Sequence, residues 1–316
     1  GTDRMRTLLL SVLLVAFAGC GGDWSNTDLV FSNALPRRED LRAKLPQSAS
    51  QALGGQGTRR DGLMVGDPST AWNQTVKAAK DYNAVLDALL GFVDQVRAVP
   101  PTTRTKDSRT WGPYPDQNNP GREVQAVITR TDEKIFEWKI QSRATNAEWI
   151  DIVVGHFNAT TDSVRRGQGD LVVDVEGFRD VVNVDNNFKQ LDRLTVGYLT
   201  DRWPQRVEMM FVFRPGATSG LSQVGYTSRL QEDGSGAIKF VYDSASDPNV
   251  SQLEINAAWQ PNGEGRALGE VTKGTYTGFT ITECWGTDYL LTHYAESWPL
   301  GTVSGPSSAC VAIDWL

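Results

Sequence analysis

The side chains able to do chemistry are few and scattered. The chain holds two histidines, His156 and His293. Most Ser–His and zinc sites need at least one. As a pair they would line one pocket, but His156 follows Gly155 at a strand end and His293 lies between Thr292 and Tyr294. The pattern favours two unrelated strand histidines. The 38 acidic residues leave room for a glycosidase-type acid pair, which needs two carboxyls about 5–10 Å apart across a cleft. Glu283 and Asp288, close to aromatic residues, come nearest; solvated hairpin acids are the plainer reading. Asp185-Asn186-Asn187 lacks the ligand spacing and distal glutamate of a calcium loop and reads as a polar turn. Asp170 and Asp174 flank Leu171-Val172-Val173 and fit strand edges better than a metal site. No G-x-S-x-G elbow, P-loop, dinucleotide fingerprint, H-E-x-x-H or C-x-x-C occurs. The sequence therefore assigns no catalytic residue, metal ligand or cofactor.

Tryptophan is the more telling type. Indoles stack on sugar rings and line apolar cavities, and they also fill cores. Trp138 and Trp259 fall at alternating strand positions and are expected in the core. Trp285 and Trp298 lie in loops near Cys284 and Cys310, where exposure and ligand contact are expected.

The third chemistry is that of sulfur. An apolar run from Leu8 to Ala18 follows Arg4 and Arg6. It is shorter than the roughly 20 residues a membrane-spanning helix needs. Basic start, apolar middle and small residues before a break are the parts of an export signal. Here Ala18-Gly19 lead directly into Cys20. This resembles the lipobox of bacterial lipoproteins, although Phe17 stands where an aliphatic residue is usual. The resemblance implies a leader over 1–19, with Met5 as its natural start, and a lipid on the Cys20 thiol. It further implies a mature chain tethered in a Gram-negative envelope. Gly21 after the cysteine, in place of aspartate, resembles delivery to the outer membrane. In that oxidising compartment Cys284 and Cys310 form an even pair with polar, glycine-rich flanks. A bridge would close a loop of about 25 residues, worth roughly 3 kcal/mol; the alternative, two free thiols, suits an apolar core better.

Loss of residues 1–19 removes Asp3, Arg4 and Arg6. The remainder carries 29 basic and 37 acidic side chains, a formal charge of −8. That acidity argues against a nucleic-acid partner. No second apolar run approaches membrane-spanning length.

Residues 20–66 have loop composition: Gly21-Gly22, Pro36-Arg37-Arg38, Gln47–Gln51, Gly54–Arg60. A flexible stretch of this length has an end-to-end distance of about 35–40 Å, enough to hold a body clear of lipid. Within it, Leu29–Leu35 is the piece apolar enough to dock on the body or on a partner. Next, Asp67 and Pro68 predict the start of a helix over 68–98. Trp72, Val76, Ala79, Tyr82, Leu86, Leu89, Val93 and Val96 share one face of it. Gly91 weakens it and Pro100-Pro101 ends it.

Pro100 to Gly121 reads as a linker. From residue 122 the apolar period becomes two, as in Val124/Ala126/Ile128 and Phe136/Trp138/Ile140. Turns at Asp233-Gly234 and Asn262-Gly263 punctuate it. About ten strands to residue 295 predict an antiparallel meander, with an irregular element over Asp174–Leu191. The expected class is α+β: one domain over 67–316, a large curved sheet, half-open as a barrel, packed on the long helix. This order of patterns is similar to lipoprotein-carrier folds.

The function expected is binding or assembly by a lipid-anchored envelope protein rather than catalysis. Its partners would be the membrane, through the anchor, and an envelope protein or hydrophobic small molecule. The alternatives are a carrier or sensor holding a hydrophobic ligand between sheet and helix, and a glycan hydrolase using Glu283 and Asp288.

Overall fold

The structure is a computed structural model that describes residues 24–46, 63–161, 164–183, 188–217, 222–243 and 248–312. The leader, Cys20, Asp185-Asn186-Asn187 and Trp315 lie outside the described residues. The chain is mostly antiparallel sheet with few helices. Among the described residues, 15 strands stand in the sheet in sequence order. The described residues form two compact units. The first holds the described residues up to Arg42 with Ala84–Arg202 and Val207–Val224; the second holds Ala43–Asn83, Trp203–Arg206 and Gly225 onward.

The span read as a tether is partly folded. Helices α1 (Asn26–Asn33) and α2 (Arg38–Leu41) occupy it. Ser25 caps α1: its Oγ accepts from the Asp28 backbone N–H at 3.1 Å, and its own N–H donates to Asp28 Oδ2 at 2.9 Å. This reciprocal arrangement is a capping box. Asp28 then reaches into the first unit. It is 0% exposed and accepts from Arg109 Nε at 2.5 Å and Arg104 Nε at 3.1 Å. Burial raises the Asp28 pKa, but hydrogen bonds from Ser25, Arg109 and Arg104 outweigh it and bring the group to about 2. One turn later Phe31 is fully buried, edge-on to Phe136 and under the Arg109 guanidinium at 4.4 Å. Ala34, Leu35 and Leu41 are buried too. Phe31, Ala34 and Leu35 of the stretch Leu29–Leu35 thus dock on this chain's own first unit, and Arg38 of α2 and Arg42, which follows it, pair with Asp87.

Helix α3 (Thr70–Ala98) has 29 residues; its residues to Asn83 belong to the second unit and the rest to the first. Its cap is Ser69, not Asp67: Trp72 N–H donates to Ser69 Oγ at 3.0 Å. Asp67 instead accepts from the Met64 N–H. At the other end Trp111 Nε1 donates to the Val99 carbonyl at 2.8 Å.

The first unit carries β1 (Thr103–Arg104), β2 (Ser108–Pro115), β3 (Arg122–Asp132), β4 (Ile135–Ala144), β5 (Ile150–Ala159), β6 (Gly167–Asp174), β7 (Leu191–Leu199) and most of β8 (Gln205–Phe213). β1 and β2 lie in the stretch read as a linker; the prolines at 113 and 115 hid a strand whose Trp111 is fully buried. In β4 every second residue from Phe136 to Ser142 is buried, so period two marks its apolar face correctly. Phe92, Val93 and Val96 of α3 pack toward Ile128, Trp138 and Ile140 around a void of about 10 Å³, room for a single water. A short helix α4 (Val175–Phe178) and a 3-10 turn at Phe188–Gln190 form the irregular element.

The second unit carries most of β9 (Gln223–Leu230), with β10 (Gly236–Asp243), β11 (Gln252–Trp259), β12 (Gly265–Lys273), β13 (Thr280–Trp285), β14 (Leu291–Glu296) and β15 (Val303–Ser304). Trp72 of α3 stacks on Tyr289 at 4.8 Å and meets Trp285 at 5.4 Å and Trp259 at 6.1 Å.

One device recurs in both units. Trp138 sits opposite Gly155, Trp259 opposite Gly236, and Trp285 opposite Gly265 on the neighbouring strand. A Cβ would stand 2.1 Å from the Trp138 ring at Gly155, 2.6 Å from Trp259 at Gly236, and 2.5 Å from Trp285 at Gly265. None of these three glycines has a positive φ. The indole lying over the strand, joined at Gly265 by the Ala258 carbonyl oxygen at 2.5 Å, and not the backbone conformation, is what requires glycine. All three tryptophans are at most 2% exposed, so the rings have little room to yield. Gly155→Ala, Gly236→Ala and Gly265→Ala should each destabilise by about 1–3 kcal/mol. Gly91→Ala, in α3 with nothing within 4 Å, should instead stabilise by about 1 kcal/mol. Urea midpoints at unchanged m measure both; equal effects at the four sites would contradict the packing described.

Candidate functional site

Glu283 is not a solvated hairpin acid. It lies on β13, 5% exposed, at the start of α3. Its Oε2 accepts from Ser69 Oγ at 2.7 Å and from the Ala71 N–H at 2.9 Å. The first N–H groups of a helix lack intrahelical acceptors and carry partial positive charge. A carboxyl group from a distant strand supplies the acceptor. Burial pushes the Glu283 pKa up; hydrogen bonds from Ala71, Ser69 and Thr70 oppose the shift without cancelling it. Asp288 is exposed, in the turn after β13, and accepts from the Leu290 N–H at 3.1 Å. One carboxyl is sealed in the core and the other caps a turn. They do not flank a cleft as an acid pair would.

Trp285, expected exposed, is 1% exposed at the end of β13. Its Nε1 donates to the Gly263 carbonyl at 3.0 Å and its ring lies on Gly265. The segment beside Cys284 looked like a loop because of Gly286, but the strand runs through Trp285 before the turn begins. Trp298 does lie in a loop, half-buried, stacked on Tyr276 at 4.9 Å. That pair presents an aromatic surface near Leu300, which is fully exposed. Cys284 and Cys310 form a disulfide with 5.2 Å between Cα atoms.

The histidines have separate partners. In the first unit, exposed His156 pairs across the β5–β6 ladder with Asp170, Nδ1 to Oδ1 3.0 Å. In the second unit, buried His293 has Nδ1 3.0 Å from the Gly305 carbonyl. Asp174 lies 3.8 Å from Arg193. Among the described residues, no three His, Cys, Asp or Glu side chains gather as a metal site would need.

An open polar groove of about 400 Å³ lies in the second unit, within the volume range of small-molecule sites. Two hairpin tips form it. Arg229, Gln231, Asp233, Ser235 and Gly236 come from the β9–β10 hairpin, and Gln260 and Pro261 follow β11. Ala312, two residues past the disulfide, lines it as well. The β9–β10 tip is fixed by Ser235, which donates to Asp233 Oδ1 from Oγ at 2.6 Å and from N at 2.8 Å. The Ser235 side chain, then its backbone, holds the Asp233 carboxyl below the usual range. The lining offers a guanidinium, a carboxylate, amides and a hydroxyl, and no histidine or cysteine. It suits hydrogen bonding to a polar ligand. The sequence showed Asp233-Gly234 and Asn262-Gly263 only as turns; no local spacing says that the two tips share a groove.

No family model matches the chain, and neither a curated protein nor a solved structure matches it.

The raised pKa of Glu283 has a signed consequence. Over the range above 4.5, the unfolded carboxyl loses its proton before the folded one. The folded state then binds more protons, so this group's contribution to stability falls as pH rises through that window. Glu283→Gln keeps an acceptor without the charge, so its stability should fall less between pH 4.5 and 7 than that of wild type. Glu283→Ala leaves the Ser69, Thr70 and Ala71 donors unmatched and should cost on the order of 3 kcal/mol. Chemical denaturation across that pH range measures both; parallel pH profiles for wild type and Glu283→Gln would contradict the assignment.

Proposed function

We propose that this chain is a lipid-anchored protein of the bacterial envelope that acts by binding or assembly. The observation that carries the reading is Ala18-Gly19-Cys20 at the end of an apolar leader with basic residues before it. The Cys284–Cys310 bridge supports it, since structural disulfides persist in oxidising compartments. Among the described residues, no helix is long and apolar enough to cross a membrane. The polar groove of the second unit is the surface on which a small polar ligand, or a polar segment of a partner, would sit.

The expectation of a curved sheet packed on a helix draws support within each unit. Trp72 of α3 packs on aromatic residues of the second unit, and Phe92, Val93 and Val96 pack on β3 and β4 of the first. The 10 Å³ void at the latter contact gives a hydrophobic-carrier reading nothing to stand on there, since a lipid would need the layers to part.

Metabolic labelling with an alkyne fatty acid in an expressing Gram-negative host tests the anchor. Wild type should take up label and stay with the membrane fraction, and Cys20→Ala should do neither. An unlabelled wild type that retains its leader would remove the reading.

A further inference from the structure

We propose that the first unit lies directly on the membrane, with the N-terminal end of α1 against the lipid. This rests on the reading of Cys20 as the acylated residue. The loop-like composition of residues 20–66 suggests a long leash. The docking of α1 leaves a short one. Cys20 is five residues from Ser25, the cap of a helix fixed to the first unit. Five residues span at most about 18 Å when fully extended. The interval is too short to hold that unit clear of a bilayer in which the acyl chains of Cys20 are embedded.

The surface at that end has the chemistry the position demands. Trp24 is 36% exposed and Leu29 is 48% exposed. On α1 the buried residues are Asp28, Phe31 and Ser32, so Leu29 faces away from the contact with the unit. Tryptophan favours the membrane–water boundary, and an exposed leucine gains from contact with acyl chains. The turn that follows Arg104, whose guanidinium reaches Asp28, adds an exposed cation, Lys106. Asp107, the nearest acid in that turn, is engaged by Arg130 at 2.9 Å.

The full-length protein, purified from its membranes and reconstituted in vesicles of brominated phosphatidylcholine, tests this. Three forms are compared: wild type, Trp24→Phe, and wild type with a flexible Gly/Ser insert after Gly22. An insert of about 20 residues adds roughly 25 Å of reach. Bromine quenches tryptophan emission at short range, so wild type should show a quenching increment that Trp24→Phe lacks. The insert should reduce that increment several-fold. Intact mass on the same samples reports the acyl chains on Cys20. Acylated protein with equal quenching in wild type and Trp24→Phe overturns the membrane-facing surface and leaves the anchor standing. An increment that survives the insert unchanged overturns the short leash. An unmodified Cys20 overturns the anchor and this inference together.

Discussion

A carboxylate with no exposure to water needs its charge matched where it lies. Asp28 finds that match in Arg109 and Arg104, with the Ser25 backbone N–H supplying a further hydrogen bond. Arg109 is committed on every side: to Asp28, to the carbonyls of Thr105 and Ser108, and to the face of Phe31. Removing one partner of such a buried pair leaves the other charge unmatched, at about 3–5 kcal/mol. The pair fixes α1 in place, and Phe31 and Leu35 then complete the apolar contact. The position of the next helix depends on it, since α2 can reach Asp87 and Asp94 only from a docked start. The distance from Cys20 to the folded body depends on it as well.

The second unit is organised by a buried carboxyl of its own. Glu283 brings a hydrogen-bond acceptor to the N-terminus of α3, while Trp72, one turn in, inserts among Trp259, Trp285 and Tyr289. The indoles fit because glycine stands opposite each strand tryptophan. Helix start, aromatic cluster and glycines are one construction. The disulfide adjoins it, since Cys284 stands between Glu283 and Trp285, and it fixes the segment that lines the polar groove through Ala312. In this way a structural core sets the geometry of a surface site.

Much of the strand pattern was legible because alternation records burial on one face. Phe136, Trp138 and Ile140 are buried as their spacing says. α3 was legible from its period and from Pro100-Pro101, though its buried stripe takes Leu90 where Leu89 was expected, and its cap is Ser69. The disulfide followed from having two cysteines left over. Other features were hidden for physical reasons. α1 is short and weakly amphipathic, and it is held by a buried ion pair whose partners are 76 and 81 residues away; no local window contains that information. Trp285 reads as a loop residue until the strand register places it over Gly265. Glu283 reads as a surface acid until α3 is brought to it. The groove joins two hairpin tips whose separate sequences say only that the chain turns.

Amide hydrogen exchange over Asn26–Asn33 in the wild-type protein tests the central claim most directly, that α1 belongs to the folded body and not to a tether. Helix amides held by the Asp28–Arg109 pair should exchange slowly, at rates comparable to those of β2 and β3 in the same unit. Exchange at the rate of an unstructured peptide, while β2 and β3 stay protected, would contradict the docked helix and, with it, the short link to Cys20.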